Sequence, residues 1–207
     1  MSDDAFIERA KIWDKHPELC RIADEFAAEV EKIVTFGPED VVMDFGCGTG
    51  QVGLRFSTRV RHMVMLDTSA AMLAVLGEKL ERNHIDNVEV ISKPLPGAEL
   101  SSGQMDTVFT SMALHHVENL GGLFNDIHGL LKPEGRLILG ELLPEDGSYH
   151  GDEIVPHHGF NPESLKLELE ENGFSVSRCY EHGVVNKPGK DSVLRQYGKF
   201  VLEARKA

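Results

Sequence analysis

Cysteine is scarce in this chain of 207 residues, which has three. Cys20, Cys47 and Cys179 are odd in number and far apart, which argues against a disulfide framework and against a metal site built from paired cysteines. We interpret them as reduced thiols, and this predicts a cytoplasmic location. Long apolar segments are also missing. No run reaches about 18 apolar residues, and the first residues, "MSDDAFIERAKIWDKHPE", are charged throughout, so we expect neither a membrane span nor a signal peptide.

The chain is also poor in positively charged residues. The chain has 21 lysines and arginines against 34 aspartates and glutamates, a net charge of −13, and no Lys/Arg-rich run. Nucleic acids and anionic membranes bind basic surfaces, so neither is an expected partner. A neutral or cationic small molecule fits this charge better. The sequence leaves the oligomeric state open.

What is present is an alternation of strand and helix patterns. Short apolar runs predict the strands "VVMDF", "HMVMLD", "NVEVIS", "MDTVFTS" and "GRLILGEL", with helical stripes of leucines between several of them. This alternation predicts an α/β fold with a parallel sheet and helices on both faces. Two further runs, "FSVSRCYEHGV" and "VLRQYGKFVLEARK", predict an antiparallel edge at the C-terminus.

We expect a single domain over residues 1–207. Residues 1–36 are expected to form an N-terminal helical cap, which includes Phe6 and Trp13, and we interpret Trp13 as a packing residue or a ligand contact. Residues 37–143 form the core, 144–160 a lid-like loop without periodicity, and 161–207 a helix and a strand pair.

The segment "VVMDFGCGTG" places Asp44 ahead of three closely spaced glycines. A tight turn without a ligand needs only one such glycine. Gly48, Gly50 and Gly53 also satisfy the G-x-G-x-x-G spacing of dinucleotide sites. In those sites a pyrophosphate rests at the helix N-terminus, and Asp44 would repel it with no basic residue nearby. An NAD-dependent oxidoreductase is therefore the weaker interpretation.

S-adenosylmethionine accounts for both features, because it has no phosphate and carries a cationic sulfonium and a cationic amino group. Its carboxylate can accept hydrogen bonds from backbone amides, and Asp44 favours its cationic end. Asp67 ends the second strand, where its carboxylate can accept two hydrogen bonds from ribose hydroxyls. The alternative for Asp67 is a helix cap, for which Thr68 or Ser69 would also serve.

These segments together resemble the class I S-adenosylmethionine-dependent methyltransferases. "VVMDFGCGTGQ" matches the first motif of that family, "MLDTSAAML" the ribose and adenine segment, "MDTVFTSMALHHV" the fourth strand, and "LLKPEGRLILGE" the fifth. The resemblance runs from about Val41 to Glu141 and more loosely to the C-terminus. The nearest branch looks like the small-molecule group that includes quinone-biosynthesis C-methyltransferases. The resemblance implies a Rossmann-like, seven-stranded, mostly parallel sheet with an antiparallel C-terminal strand.

The resemblance also implies where the cofactor binds. Met72 is expected to flank the adenine, and Ser111 and Met112 to lie near the methionine part. Ser92 stands where the family often has an Asp for the adenine amino group, so its hydroxyl or a backbone group is expected to take that role. Cys47 is interpreted as a small buried side chain. The expected cofactor-binding residues are Asp44, Gly46, Cys47, Gly48, Thr49, Gly50, Asp67, Thr68, Met72, Ser92, Ser111 and Met112.

Motifs that are absent limit the range of possible acceptors. The chain has no "NPPY"-like segment, which the family uses for the amino groups of bases and glutamine, and no Pro-Cys pair, which it uses for cytosine carbon. It also has no recognisable loop with paired glutamates, which the family uses for protein arginine. A small-molecule acceptor is therefore favoured, reached by in-line displacement. The alternative from another class is a regulatory or scaffold protein that binds the cofactor without transferring its methyl group, since positioning can carry much of such a reaction without a catalytic side chain.

Histidines supply the candidates for acid–base chemistry. His115 and His116 follow the fourth strand in "SMALHHV", and one of the pair is predicted to accept a proton from the acceptor. The alternative is that both cap or pack the next turn. His150, His157 and His158 stand in the 144–160 loop. Imidazoles suit zinc, but we interpret this loop as solvated and predict no metal.

Overall fold

A computed structural model describes residues 10–189 and 191–207 of the chain. The strands are β1 (Val41–Phe45), β2 (His62–Leu66), β3 (Val88–Ile91), β4 (Met105–Ser111), β5 (Leu131–Leu142), β6 (Phe174–Pro188) and β7 (Leu194–Lys206). The helices are α1 (Pro17–Ile33), α2 (Ala70–Asn83), α3 (Leu120–Leu130) and α4 (Pro162–Glu171).

The seven strands form one sheet in the order β3-β2-β1-β4-β5-β7-β6. Strands β1 to β5 pair in parallel, and β7 runs antiparallel to both β5 and β6. This confirms the Rossmann-like, mostly parallel sheet with antiparallel C-terminal strands. The direction of strand progression reverses between β1 and β4, and open sheets of this kind bind ligands beyond the carboxyl ends of their strands at such a point.

Side chains alternate across the sheet and build a core on each face, because neighbouring residues of a strand point to opposite sides. Along β1, Val41 and Met43 pack with α3 and α4, whereas Val42 packs with α1 and α2. All five residues of β1 are buried. Asp44 lies on the same face as Val42 and is buried as well, which places a carboxylate at the end of a central strand inside an apolar layer.

Two strands are longer than the sequence predicts. β5 begins at Leu131 rather than Gly135, because Leu131 pairs with Met105 across an irregularity in the ladder. β6 continues through Pro188 because its pairing with β7 extends to the register of Pro188 with Leu194. At the N-terminus, the residues from Ala10 to Trp13 are helical, and the predicted position of Phe6 lies outside the described residues.

Residues 143–161 contain neither helix nor strand, as the missing periodicity predicts. This loop is held to the body of the protein by backbone bonds from Phe160 to the carbonyl of Leu142 and from His157 to that of His115. Ser148 shares a hydrogen bond with the hydroxyl of Tyr197, at 2.8 Å between oxygens. None of the helices in the described part of the chain has both the length and the apolar content needed to cross a bilayer.

Candidate active site

The glycine turn, residues Gly46 to Gly50, joins β1 to two short 3₁₀ turns before β2. Gly46 has a φ of +72°, and a Cβ built there would lie 2.4 Å from the Cβ of Ala113. Glycine is therefore required by conformation and by space. The amides of Gly46 and Cys47 both donate to the carbonyl of Leu66. These amides close the turn onto β2, so they are not free for a ligand carboxylate, which differs from the expectation.

Asp44 lies beneath this turn and is 3% exposed. Its Oδ2 accepts a hydrogen bond from the amide of Gly53 at 3.0 Å. A Cβ at Gly53 would come within 2.7 Å of that oxygen, so glycine is needed for the bond to form. Burial raises the pKa of Asp44 to about 7, the Gly53 bond opposes the shift, and the nearby charge of Asp67 adds to it. A cation beside Asp44 would favour its ionised form.

Asp67 follows β2 and binds two backbone amides. Its Oδ2 accepts from Gly48 at 2.7 Å, and its Oδ1 accepts from Ser69 at 2.8 Å. Ser69 is the N-cap of α2, through a bond from the amide of Met72. Because a carboxylate has about four acceptor positions, Asp67 retains capacity for hydroxyl donors. The two amide bonds fix the orientation in which it would meet them.

A third acidic residue, Asp14, was missed by sequence reasoning. Its carboxylate accepts from the hydroxyl of Thr49 at 2.6 Å and from the side chain of Gln51 at 2.9 Å, and it pairs with Lys79 at 2.5 Å. Burial alone would raise the pKa of Asp14, but the bonds from Lys79, Thr49 and Gln51 outweigh it and hold the pKa below its usual value. The segment before α1 is thereby fastened to the glycine turn. No local motif in the sequence marks a contact between residues this far apart.

A cavity of about 1570 Å³ opens above the carboxyl ends of β1, β2 and β4. At one end, called here the cofactor half, it is lined by the glycine turn and the start of α2. At the other end, the acceptor half, it is lined by residues from the N-terminal segment, the turn after β4, the 143–161 loop and β6. Of the expected site residues, those that line the cavity are Asp44, Gly46, Cys47, Gly48, Thr49, Asp67, Thr68, Met72, Ser111, Met112, His115 and His116.

Two expected site residues are absent from the described lining. Ser92 is exposed, and the cavity wall beside it is made by Pro94 and Leu95 instead. Gly50 faces Leu76 and Leu54, where it gives the turn its shape.

The acceptor half brings together side chains that are far apart in sequence. His115 and His116 form a short 3₁₀ turn after β4, and the ring of His150 from the loop packs on both, with centroid distances of 4.6 Å and 5.8 Å. Trp13 and Tyr149 also line this half. Met112, which also lines the cavity, has a φ of +55°, a strained conformation for a residue with a side chain.

His115 and Glu141 form the most buried polar pair of the site. Glu141 is fully buried and His115 is 3% exposed. Nδ1 of His115 lies 2.9 Å and 3.1 Å from the two carboxylate oxygens of Glu141. The sequence shows that a histidine stands here, but not that a glutamate at the end of β5 meets it. Only the pairing of β4 with β5 brings the two together.

Comparison with known proteins gives a consistent assignment. A family model described as a methyltransferase domain matches residues 42–135. An uncharacterized methyltransferase of Schizosaccharomyces pombe is 34% identical over 147 residues, which cover 63% of this chain and 51% of that protein. A probable cobalt-precorrin-6B C(15)-methyltransferase (decarboxylating) of Methanobrevibacter smithii is 27% identical over 72% of this chain and 75% of its own length. A crystal structure of a SAM-dependent methyltransferase from Aquifex aeolicus superposes with a TM-score of 0.72 at 20% identity and covers 97% of this chain and 98% of that one.

Residues 42–135 of the chain are thus similar to a methyltransferase domain, and the whole fold is similar to that of a SAM-dependent methyltransferase. The aligned part spans about half the length of the yeast relative.

The residues of the cofactor half fit S-adenosylmethionine better than a dinucleotide. Two carboxylates, Asp44 and Asp67, lie at the glycine turn, whereas the lysine nearby, Lys79, is paired with Asp14 and donates to the carbonyl of Thr49 at 2.7 Å. This charge repels a pyrophosphate and suits a cofactor that carries a cationic sulfonium and ribose hydroxyls. Gly48 lines the cavity, and nothing lies within 4 Å of the place where its Cβ would be, so a ligand can approach the backbone there. Cys47 is buried, and burial raises the pKa of its thiol, which suits packing better than reactivity.

The histidines of the 143–161 loop have different partners. His157 is bound to the carbonyl of Val117 at 2.9 Å from Nε2, and Nδ1 of His158 lies 3.3 Å from Glu145. Only His150 of the three reaches the described cavity wall. Within residues 10–189 and 191–207, no three His, Cys, Asp or Glu side chains are grouped so as to hold a metal ion.

Proposed function

We propose that this protein transfers the methyl group of S-adenosylmethionine to a small-molecule acceptor by in-line displacement. The observation that carries the proposal is the single cavity that joins Asp67 and the glycine turn to the histidines of the acceptor half. Its volume of about 1570 Å³ exceeds the roughly 300–1,000 Å³ of an ordinary ligand site, so a cofactor and an acceptor fit together.

Each group of residues has a role in this proposal. Asp67 binds the ribose hydroxyls, and Met72 packs on the adenine. Gly46 to Gly50 shape the turn that the cofactor approaches, while Asp44 favours its positive charge. Ser111 and Met112 lie beside the methionine part, where β4 ends. Thr68 belongs to the same wall as Asp67. A contact between Ser92 and adenine stays a prediction, with the wall at Pro94 and Leu95 as its rival.

When bound, the cofactor supplies an electrophilic methyl group on a cationic sulfur. The protein's task is then to hold the acceptor atom in line with that group, and such alignment can supply up to roughly 7–11 kcal/mol of the barrier reduction. His115 or His116 accepts a proton where the acceptor must lose one.

The proposed organisation is one domain, in which two covers meet over the acceptor half. Residues 1–36 contribute Trp13 and Leu19 to the described cavity wall, and the 144–160 loop contributes Tyr149 and His150. Residues 37–143 form the core, and 161–207 complete the sheet. We propose a cytoplasmic location, which the three free cysteines support, and partners that are small molecules rather than nucleic acids or membranes.

Calorimetry and label transfer test the function. S-adenosylmethionine and its demethylated product should bind, and NADH should not. Label from methyl-labelled cofactor should then appear in a component of a metabolite extract. If the cofactor binds but no label moves in any extract, the scaffold interpretation replaces the enzyme. Tight binding of NADH would instead indicate an oxidoreductase.

A further inference from the structure

Glu141 holds His115 in one fixed orientation at the wall of the acceptor half. Besides its two contacts with Nδ1, the carboxylate accepts a bond from the amide of His115 at 3.3 Å and one from the amide of Leu142 at 2.8 Å. The glutamate is therefore itself fixed by the backbone at the end of β5. A buried acceptor bound on several sides cannot turn away from its histidine without losing these bonds.

The pairing also determines which nitrogen of His115 carries the proton. A carboxylate only accepts hydrogen bonds, so Nδ1 of the neutral imidazole must be the protonated nitrogen that donates to Glu141. Nε2 then keeps its lone pair. No hydrogen bond to this atom occurs among the residues that the structure describes, and His115 lines the cavity. An imidazole held in this way is ready to accept a proton.

The neighbouring histidines are held in a neutral state. Burial lowers the pKa of His116, and the adjacent His115 lowers it further. Burial, together with His115 and His116, lowers the pKa of His150 to about 3. Nε2 of His150 is buried with no hydrogen-bond partner in the described part of the chain, so a ligand group that meets it gains a bond.

Resting on the proposed function, we propose that the acceptor is an aromatic or enolic hydroxyl compound, that Nε2 of His115 takes its hydroxyl proton, and that Glu141 is the positioning residue. The proton passes to Nε2, the oxygen's electron pair forms the new bond to the methyl carbon, and the pair of the broken carbon–sulfur bond stays on the sulfur. His150 hydrogen-bonds the same acceptor.

The basicity of imidazole limits which acceptor hydroxyls it can deprotonate. The equilibrium constant for proton transfer from a phenol to an ordinary imidazole is unfavourable by a factor of roughly 10³–10⁴. For a hydroxyl as weakly acidic as water, the factor is roughly 10⁹. An ionised carboxylate needs no base, and a neutral amine can react through its lone pair. Trp13, Tyr149 and Leu19 line the same cavity, Leu19 packs in one cluster with Tyr149, and these side chains suit an aromatic ring.

The probe for this inference is 4-nitrophenol, whose anion alone is yellow, added to protein saturated with S-adenosylhomocysteine. Glu141 binds Nδ1 of His115, and the titratable residues that line this part of the cavity with it are His116, His150, Glu153, Tyr149 and Lys187. At pH 6 we expect the ratio of anion to neutral form of the bound probe to be about tenfold higher than that of the free probe, a shift of one pKa unit. His115→Gln should abolish the rise. The matched control is His62→Gln, which alters a histidine beside a glutamate on the exposed surface and should change nothing.

Nitrogen-15 NMR of the unmodified protein tests Glu141 directly, by showing which ring nitrogen of His115 carries the proton. We expect it on Nδ1, and we expect Glu141→Gln to raise the share on Nε2, because the glutamine amide keeps one acceptor oxygen where the carboxylate has two, and its nitrogen can donate to an unprotonated Nδ1. A proton on Nε2 in the unmodified protein overturns the role of Glu141.

Bound 4-nitrophenol with an unchanged anion fraction, or no binding of this probe, overturns the acceptor class. In both cases S-adenosylhomocysteine still binds, whereas its failure to bind would contradict the proposed function itself.

Discussion

The two halves of the cavity are built in different ways. The cofactor half comes mainly from one stretch of chain, from Asp44 at the end of β1 to Met72 at the start of α2, and backbone bonds within that stretch fix its shape. The acceptor half collects side chains from the N-terminal segment, the turn after β4, the long loop and β6. The first half is therefore a local motif held by backbone geometry, and the second is a meeting of distant elements that depends on the whole fold.

The largest effect should come from adding one methyl group to the glycine turn. Gly46→Ala places a Cβ 2.4 Å from that of Ala113, at a φ of +72° that alanine rarely adopts. We expect the affinity for S-adenosylhomocysteine to fall by about 100-fold or more, and the free energy of unfolding to fall by about 1–3 kcal/mol. Calorimetry and urea unfolding measure the two quantities.

Gly77→Ala is the matched control for that change. Gly77 lies within α2, and nothing is within 4 Å of its Cβ position. The protein should gain about 0.5–1 kcal/mol of stability, with unchanged affinity. Normal binding by Gly46→Ala would show that the cofactor half tolerates a reshaped turn, and the contrast between the halves would be lost.

Asp67→Ala should have the next largest effect. It removes the acceptor for the amides of Gly48 and Ser69 and, in the proposed function, for the ribose hydroxyls. We expect binding of S-adenosylhomocysteine to weaken by about 1–3 kcal/mol. Asp106→Ala is the control, because Asp106 accepts from the amide of Val41 and from Lys132 at the opposite end of the sheet. If both variants lose stability but neither loses affinity, Asp67 has only the capping role.

Asp44→Asn should move stability and affinity in opposite directions. The pKa of Asp44 in the folded protein is about 7, above its usual value of 3.8. Its contribution to stability is therefore fully present below about pH 4 and is lost as the pH rises through about 7. At pH 8 the asparagine variant should be more stable than the original protein, by up to about 4 kcal/mol. Its affinity for S-adenosylhomocysteine should fall about tenfold, because the ligand's ammonium group loses a carboxylate.

Thermal unfolding and calorimetry from pH 3.5 to pH 8 measure this pair of effects. The two proteins should have nearly equal stability below about pH 4 and diverge as the pH rises toward 7. A variant less stable than the original protein at pH 8 would show that the bond from Gly53 outweighs the burial of the charge.

This contrast also explains which parts of the fold and of the site the sequence could predict. Glycine spacing and two aspartates predict the cofactor half because their effect is local, and the order of strands follows from the alternation of patterns. The partner of His115 could not be predicted, since Glu141 meets it only through the register of β4 and β5. Asp14 was missed for the same reason, as its contacts with Thr49 and Lys79 join segments 35 and more residues apart. The exposure of Ser92 depends on the path of the chain after β3.

Asp14 is where the two halves are joined, and its replacement should have the smallest effect. Asp14→Asn removes the charge that pairs with Lys79 at 2.5 Å, although the amide can still accept from Thr49. Since the pKa of Asp14 is held below its usual value, its contribution to docking the N-terminal segment is present above about pH 4 and is lost as the pH falls through that lowered pKa. A partly exposed pair of this kind is worth little, so binding of S-adenosylhomocysteine should weaken by only about 2–5-fold.

Hydrogen exchange of residues 10–16 is the sharper measurement, because this segment lines the cavity and is fastened to the glycine turn through Asp14. Exchange should quicken in Asp14→Asn at pH 7 and should quicken in the original protein only in acid. The control is Asp24→Asn, which breaks the ion pair of α1 with Arg55 on the surface just beyond the turn. Equal exchange in the two variants would mean that general packing of α1, rather than Asp14, holds the N-terminal segment over the cavity. In that case the two halves would be coupled through the sheet alone.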